Sequence, residues 1–378
     1  MSDSFTVNIS NVASKLKNAR DGAQLSTRAV AVLLSTRFSI SHSHATVANY
    51  EKGRSIPTID VLKALAALYE RPLSWFTEPG RIFQGIRYRN LKSKVRVSDK
   101  HWYESHALRW LEAYSALEAR LSKPLPETVH LKIEAGDSDA VAAKSIRRQL
   151  GIPLTGPVPS VIDCLHRIGV RVIELPTDLA IDGFAARFGE EYAVVLNPCI
   201  SNDRCRMNAG HEMVHVASGD CDSSAAESRE SERRAYGISS HFLLSDAELK
   251  EAFSGRSLVK MVQYKERFGI SLAAMIYRAQ ESGLIDIKVA KWLWMEFASR
   301  GWRKKEPGYV RPDRATRFED MLDSALQQKE ISWREAESIM GVKESDLQER
   351  IRLAMGLTIN TEAQEGEDEE PRILRLSD

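Results

Sequence analysis

The segment His211-Glu212-Met213-Val214-His215 sets two imidazoles four residues apart with a carboxylate between them. Four residues is just over one helical turn, so on a helix both imidazoles leave one face and can hold one metal ion, with Glu212 beside the open coordination position. With 9 histidines in 378 residues the pattern is expected by chance fewer than about 0.03 times per chain, so it reads as a ligand pair and not as two surface histidines. Zinc suits such a pair and needs a third protein ligand. The extended form, with Gly and His three and six residues after His215, is not met, because Ser218 and Cys221 stand there. The stretch 225–244, AAESRESERRAYGISSHFLL, offers Glu227, Glu230 and Glu232, with His241 as a weaker rival. Glu232 is preferred, because Ala235, Ile238 and Phe242 form an apolar stripe that would seat its helix against the first. Cys221 reads as a packed thiol. The chemistry such a set supports is metal-assisted hydrolysis.

The elements around these residues follow from hydrophobic spacing. Residues 139–168 read as two helices broken at Gly156-Pro157, and Gly169-VRVIEL and Glu191-YAVVLN read as short strands of a small sheet, parted by the turn signal Asp182-Gly183. Helices resume from Asp203. The strand Tyr192 to Leu196 is a candidate sheet edge for holding an extended peptide. At the other end of the chain, residues 12–80 read as short helices, with Ser26 and Ser43 as N-caps and Gly53 near a helix end. Between the two lies a run from Arg81 to Arg96 with six basic residues and no acidic one, then a helix around Trp102 to Leu121 and the linker-like KPLPETVH. Trp292, Trp294 and Trp302 read as packing against the core of the chain's second half. The last segment, 361–378, carries TEAQEGEDEEP and has the composition of a disordered acidic tail.

Composition limits what the whole can be. Lys plus Arg is 53 against 52 for Asp plus Glu, so attraction to nucleic acid must come from local clusters. Hydrophobic residues make up 43% and charged residues 28%, which excludes a largely disordered chain. The absence of a long apolar run or a signal-like start predicts a cytoplasmic protein without a membrane partner. Four cysteines without a C-x-x-C pair predict neither a disulfide framework nor a zinc ribbon.

Two resemblances sharpen this reading. IDGFAARFGEEYAVVLNPCISNDRCRMNAGHEMVH followed by ESERRAYGISSHFLLS resembles the ImmA/IrrE family of zinc metallopeptidases, through Asp182-Gly183-Phe184, Asn197, Arg206, His211 to His215, and Glu232 with Ala235 and Leu243-Leu244. The resemblance covers about residues 139–250. It implies zinc ligation by His211, His215 and Glu232 and a general-base role for Glu212. The chain departs from the family at Val214 (usually Gly), Ser245 (usually Pro) and Tyr236, where the family has an Asn or Asp supporting the metal site one turn after Glu232. The N-terminal bundle is similar to Xre-type helix-turn-helix domains, through LKNAR, STRAVAVLLS, SHATVANYEKGRSIPT and VLKALAALYERPLSWF. That implies a recognition helix whose Ser43, His44, Thr46 and Asn49 face DNA, with Arg54 beyond its end and Val47 and Tyr50 packed inward. Arg87, Arg89, Lys92 and Lys94 would extend the contact to phosphates.

The expected fold is mainly α (α+β): a helix-turn-helix bundle over 1–80, a basic linker and connecting helix over 81–138, a zincin-like peptidase domain with a small β-sheet over 139–285, a helical C-terminal extension over 286–360 and the tail over 361–378. The expected function is a transcription regulator that binds a double-stranded operator, as a homodimer, and relieves repression by cleaving an Xre-type repressor or itself. The rival from a different class is a non-catalytic repressor or antitoxin whose peptidase-like domain senses a ligand or partner.

Overall fold

The computed structural model describes residues 9–69, 71, 73–77, 83–89, 95–134, 136–222, 228–340 and 345. The tail 361–378, Lys92, Lys94 and Glu227 lie outside these residues.

Five helices form the N-terminal bundle: α1 (Ile9–Gly22), α2 (Thr27–Phe38), α3 (His44–Glu51), α4 (Ile59–Leu68) and α5 (Leu73–Thr77). Ser26, Ser43 and Thr58 each stand at an N-cap and accept from the amide three residues on, which satisfies one of the donors a helix start leaves unpaired. Val30, Leu34, Val47, Tyr50, Leu62 and Leu65 close the core beneath them. The inward placement of Val47 and Tyr50 is as the helix-turn-helix resemblance implied.

The chain then forms strand β1 (Phe83–Arg89), the long helix α6 (Val97–Arg120), α7 (Asp139–Gln149), α8 (Val161–Arg167) and three further strands, β2 (Arg171–Glu174), β3 (Gly183–Phe188) and β4 (Glu191–Leu196). The sheet runs β1-β3-β4-β2, with β3 antiparallel to both neighbours and β2 parallel to β4. Two expectations change here. The basic run is not linker throughout, since 83–89 pairs with β3 as an edge strand. Tyr192 to Leu196 is not an edge either, because β4 lies between β3 and β2.

After β4 come α9 (Asn202–Ala217), a single 3-10 turn (Asp220–Asp222), α10 (Arg229–Leu243), α11 (Asp246–Phe253), α12 (Leu258–Phe268), α13 (Leu272–Glu281), α14 (Ile287–Ser299), α15 (Arg317–Gln327) and α16 (Trp333–Met340). Both faces of the sheet are covered. Val172, Ala185, Val194 and Leu196 point into a core shared with α7 to α14. The alternate residues Ile173, Phe184, Ala186, Phe188, Ala193 and Val195 point into a second core built by α6, α15 and α16. Period two with both faces apolar explains why the strands read as continuous hydrophobic runs. The C-terminal extension is therefore split: α14 joins the first layer through Leu293 and Phe297, while α15 and α16 join α6.

Helix α6 also carries the N-terminal bundle. Ser105 donates to Asn18 O at 3.1 Å, Asp21 meets His101 at 3.2 Å, and the Trp75 indole donates to Glu112 at 2.8 Å. At its other end Glu118, 3% exposed, pairs with Arg171 of β2 at 2.6 Å and with Arg317 of α15 at 2.7 Å. Among the described residues no helix is long and apolar enough to cross a membrane.

Candidate metal centre

Residues 197–201 join the end of β4 to helix α9, and that junction is fixed by Asn197. Its amide donates to Thr177 O and Ile181 O, both at 3.0 Å, and its carbonyl accepts from Cys199 N. One face of α9 then faces α10. The two approach closely at Gly210, where a Cβ would lie 2.7 Å from Ser239 Oγ, and that hydroxyl donates to Met207 O. Gly210 stands just before His211, so the close approach brings the first turns of α10, and Glu232 with them, to the two imidazoles. The apolar stripe predicted for α10 is there, with Ala235, Ile238 and Phe242 buried. Two buried arginines hold its last carbonyls: Arg147 donates to Phe242 O at 2.8 Å and Arg278 to Ser240 O at 2.8 Å. Cations at a helix C-terminus satisfy orphan acceptors and suit the helix dipole, so the axis that carries Glu232 is held at its far end.

His211 and His215, each 1% exposed, turn Nε2 toward each other at 2.9 Å. Glu232 reaches them with both oxygens, Oε2 at 3.2 Å from His211 Nε2 and Oε1 at 2.9 Å from His215 Nε2. The three residues are a group whose ligand atoms lie within 4.8 Å of one another. Around a tetrahedral ion with bonds of roughly 2.0–2.1 Å, neighbouring donors stand about 3.3 Å apart, so the donor set fits zinc. Glu212 is fully buried at 0% exposure.

The electrostatics favour a cation at this point. Burial alone lowers the pKa of His215, but its hydrogen bonds to Asp220 and Glu232 and the charge of Glu212 outweigh that and push it up to about 10. Burial likewise raises Glu232, and the two imidazoles outweigh it and hold the carboxylate well below its usual range. Asp220 is the partner that sequence reasoning missed. Its Oδ2 lies 2.7 Å from His215 Nδ1, an arrangement that fixes the tautomer and leaves Nε2 to face the other ligands. The signal was an acidic residue five positions after His215, indistinguishable by spacing alone from a solvated charge.

The other predicted residues are placed as follows. Glu230 is exposed. His241 pairs with Asp246 at 3.1 Å and is not in the ligand group. Tyr236 packs its ring edge-on against Tyr277, with centroids 6.0 Å apart. Ser245 caps α11 in a reciprocal box with Glu248, which uses the backbone N–H that the usual proline lacks. Arg206 makes no part of the ligand set and is buried against Asp313 at 2.7 Å. Cys221 is buried, as predicted.

In the N-terminal bundle, His44 and Arg54 are exposed, and Thr46 and Asn49 are partly so. The Ser43 hydroxyl is engaged locally, accepting from Thr46 N at 3.1 Å and meeting Thr46 Oγ1 at 3.0 Å. Arg20 of α1 grips Glu51 of α3 with Nε and Nη2 at 2.6 and 2.9 Å, which fixes the helix that carries these residues. Arg87 is corrected: it is 7% exposed and donates to Asp220 O, so it is not a phosphate contact. Arg89 ends β1.

Residues 17–76 match the family model described as helix-turn-helix, and residues 165–280 match the one described as IrrE N-terminal-like domain. No curated protein and no solved structure matches the chain. The chain thus joins a DNA-binding, Xre-type helix-turn-helix domain to a metallopeptidase-family domain of the ImmA/IrrE type.

Proposed function

We propose that this chain is a transcription regulator in which a zinc peptidase centre relieves repression by cleaving a regulator protein, in trans or in its own chain. The convergence of His211 Nε2, His215 Nε2 and both Glu232 oxygens on one point, beside the buried Glu212, is the observation that carries the reading. His211, His215 and Glu232 would hold Zn2+, and the chemistry such an ion supplies when bound is Lewis acidity toward a water and a peptide carbonyl. Glu212 would accept the proton lost by that water. Asp220 would keep His215 in one tautomer throughout. On the DNA side, His44, Thr46, Asn49 and Arg54 would read the operator from α3 and the turn after it, as a homodimer on a two-fold site. Exposed Arg28, Arg37 and Lys52 add cations that can meet phosphates.

One observation favours the alternative of a non-catalytic repressor or antitoxin with a sensing domain. The two imidazoles and Glu212 are at most 1% exposed, and only Glu232 of the set, with its side chain 30% exposed, reaches solvent. The test is metal content of the purified chain beside His211→Ala and Glu232→Ala, followed by incubation of wild type and Glu212→Gln with an Xre-type repressor from the same genome. One zinc per chain, lost in both ligand variants, with cleavage abolished in Glu212→Gln, supports the peptidase. Zinc with no cleavage of the repressor or of the chain itself moves the reading to a sensor, and no zinc after reconstitution ends the metal reading. DNA binding that weakens steeply with salt tests the N-terminal assignment separately.

A further inference from the structure

We propose that Arg87, on the strand that follows the DNA-reading bundle, is a positioning residue of the metal centre, acting on His215 through Asp220. The inference rests on the reading that His211, His215 and Glu232 hold zinc. Arg87 belongs to a run whose composition suggests a solvated basic surface, yet its side chain is turned inward and is 7% exposed. Its Nε and Nη2 donate to the Asp220 main-chain oxygen at 3.0 and 2.7 Å. Two donors from one planar fork on one carbonyl fix both the place and the tilt of that peptide group, which a single ammonium cannot do. The same residue's carboxylate accepts from His215 Nδ1 at 2.7 Å.

The turn that carries Asp220 is too short to hold itself. It is one 3-10 turn, closed by Asp222 N on Gly219 O at 3.0 Å. Its supports come from the sheet: Tyr192 Oη donates to Asp222 Oδ1 at 2.6 Å, and β1 lies directly against it. Strand β1 is shaped for this contact. Its register with β3 shifts between Gln84 and Arg87, a bulge of the kind that re-aims a side chain. Gly85, at φ +56°, lies so close to the turn that a Cβ there would sit 1.9 Å from Cys221 O. A bulge, a glycine in the left-handed region and a buried arginine within three residues all serve one turn, and that turn serves His215. All three lie outside the residues 165–280 that match the peptidase family, so this support is supplied by the segment joining the two domains.

The test uses the full chain and reads zinc affinity by competition with a chromogenic chelator, together with the melting temperature of the metal-free protein. Loss of an outer hydrogen-bond partner of a ligating His typically costs about 10–100-fold in affinity, so Asp220→Ala is expected in that range. Arg87→Ala is expected to weaken zinc at least about fivefold, and Arg87→Lys, which keeps the charge and loses the fork, to fall between it and wild type. Because Arg87 acts through the Asp220 carboxylate, the double variant Arg87→Ala/Asp220→Ala should bind no more weakly than Asp220→Ala alone. A merely structural role would lower the metal-free melting temperature and leave affinity within twofold. That result, or losses that multiply in the double variant, overturns the proposal. Should Arg87→Ala not fold, Arg87→Lys carries the same comparison. Absence of zinc from wild type is a different result, and it overturns the metal reading and this inference together.

Discussion

Replacing Asp313 by alanine should destabilise the chain more than any surface change, although Asp313 stands far from the HExxH motif in sequence. Its carboxylate makes three contacts: with Arg206 Nη1 at 2.7 Å, Ser160 Oγ at 2.7 Å and Val161 N at 2.7 Å. The Arg206 and Asp313 side chains are 7% and 6% exposed, so solvent screening does little to soften the loss. Arg206 sits on α9, five residues before His211, and also donates to Val158 O at 2.6 Å. Burial lowers the guanidinium pKa and the nearby Asp313 charge raises it, so removing the carboxylate leaves a buried cation with its main compensation gone. Breaking one side of a buried pair costs roughly 3–5 kcal/mol. At about 2.1 cal/mol/K of unfolding entropy per residue, roughly 0.8 kcal/mol/K for a chain of 378 residues, the melting temperature should fall by roughly 4–6 °C. Calorimetry in the presence of a chelator reads this without a metal contribution. The double change Arg206→Met/Asp313→Leu should recover most of the loss, because an apolar pair removes both charges at once. A loss below about 1 kcal/mol for Asp313→Ala, or no recovery in the double variant, would refute the argument that desolvated charge is what the pair manages.

Further outcomes follow from single side chains. Burial pushes His166 down to about 4, with the Arg317 charge adding to the effect. Between its ordinary value near 6.5 and that value the unfolded chain binds a proton that the folded chain does not, so stability should fall as pH drops through this window and level off below it. Melting temperatures at pH 7 and pH 5 should converge in His166→Gln relative to wild type, and an unchanged pH slope would count against the assignment. Ser43→Ala should cost about 1 kcal/mol by removing the cap of α3, and salt-matched DNA titrations should show weaker binding on every sequence without altered preference. A change confined to one operator position would instead mark Ser43 as a base contact.

The candidate metal site was legible for reasons of spacing. His211, Glu212 and His215 carry their geometry in a four-residue interval, and Glu232 is marked by the apolar stripe Ala235, Ile238 and Phe242 that seats its helix. The bundle was legible because its caps, Ser26 and Ser43, are residues whose side chains say where a helix begins. Strand β3 was not legible: GFAARF holds no β-branched residue and looks like part of a turn after Asp182-Gly183. It is a strand because β1 and β4 pair with both its edges and because Phe184 and Phe188 are buried beneath α6. Nor was β1, whose FQGIRYR alternation is broken by Gly85 and whose arginines mimic a solvated surface. Asp220 and Arg87 belong to the same class of miss. Each acts through a tertiary contact, and neither has a local pattern that spacing can detect.

That dependence on distant segments makes a strong demand on any attempt to divide the chain. A fragment of residues 139–285 contains the HExxH helix, Glu232 and most of one core, and composition alone suggests an independent domain. It lacks β1, the edge strand of the sheet, and α6, α15 and α16, which cover its second face. Ile173, Phe184, Phe188 and Val195 would then face water, and burial of each such side chain contributes about 1.5–3 kcal/mol. Four of them approach or exceed the whole stability of an ordinary domain, on the order of 5–15 kcal/mol. The buried Arg171 would also lose Glu118, its partner from α6. The fragment should therefore be insoluble, or soluble with strong binding of a hydrophobic dye and no sharp melting transition. A fragment of 83–340, which keeps both layers and only uncovers the α6 surface beneath the N-terminal bundle, should melt cooperatively. A monomeric 139–285 fragment with a cooperative transition would show that the second layer is dispensable, and with it the view that the connecting helix is part of the peptidase fold.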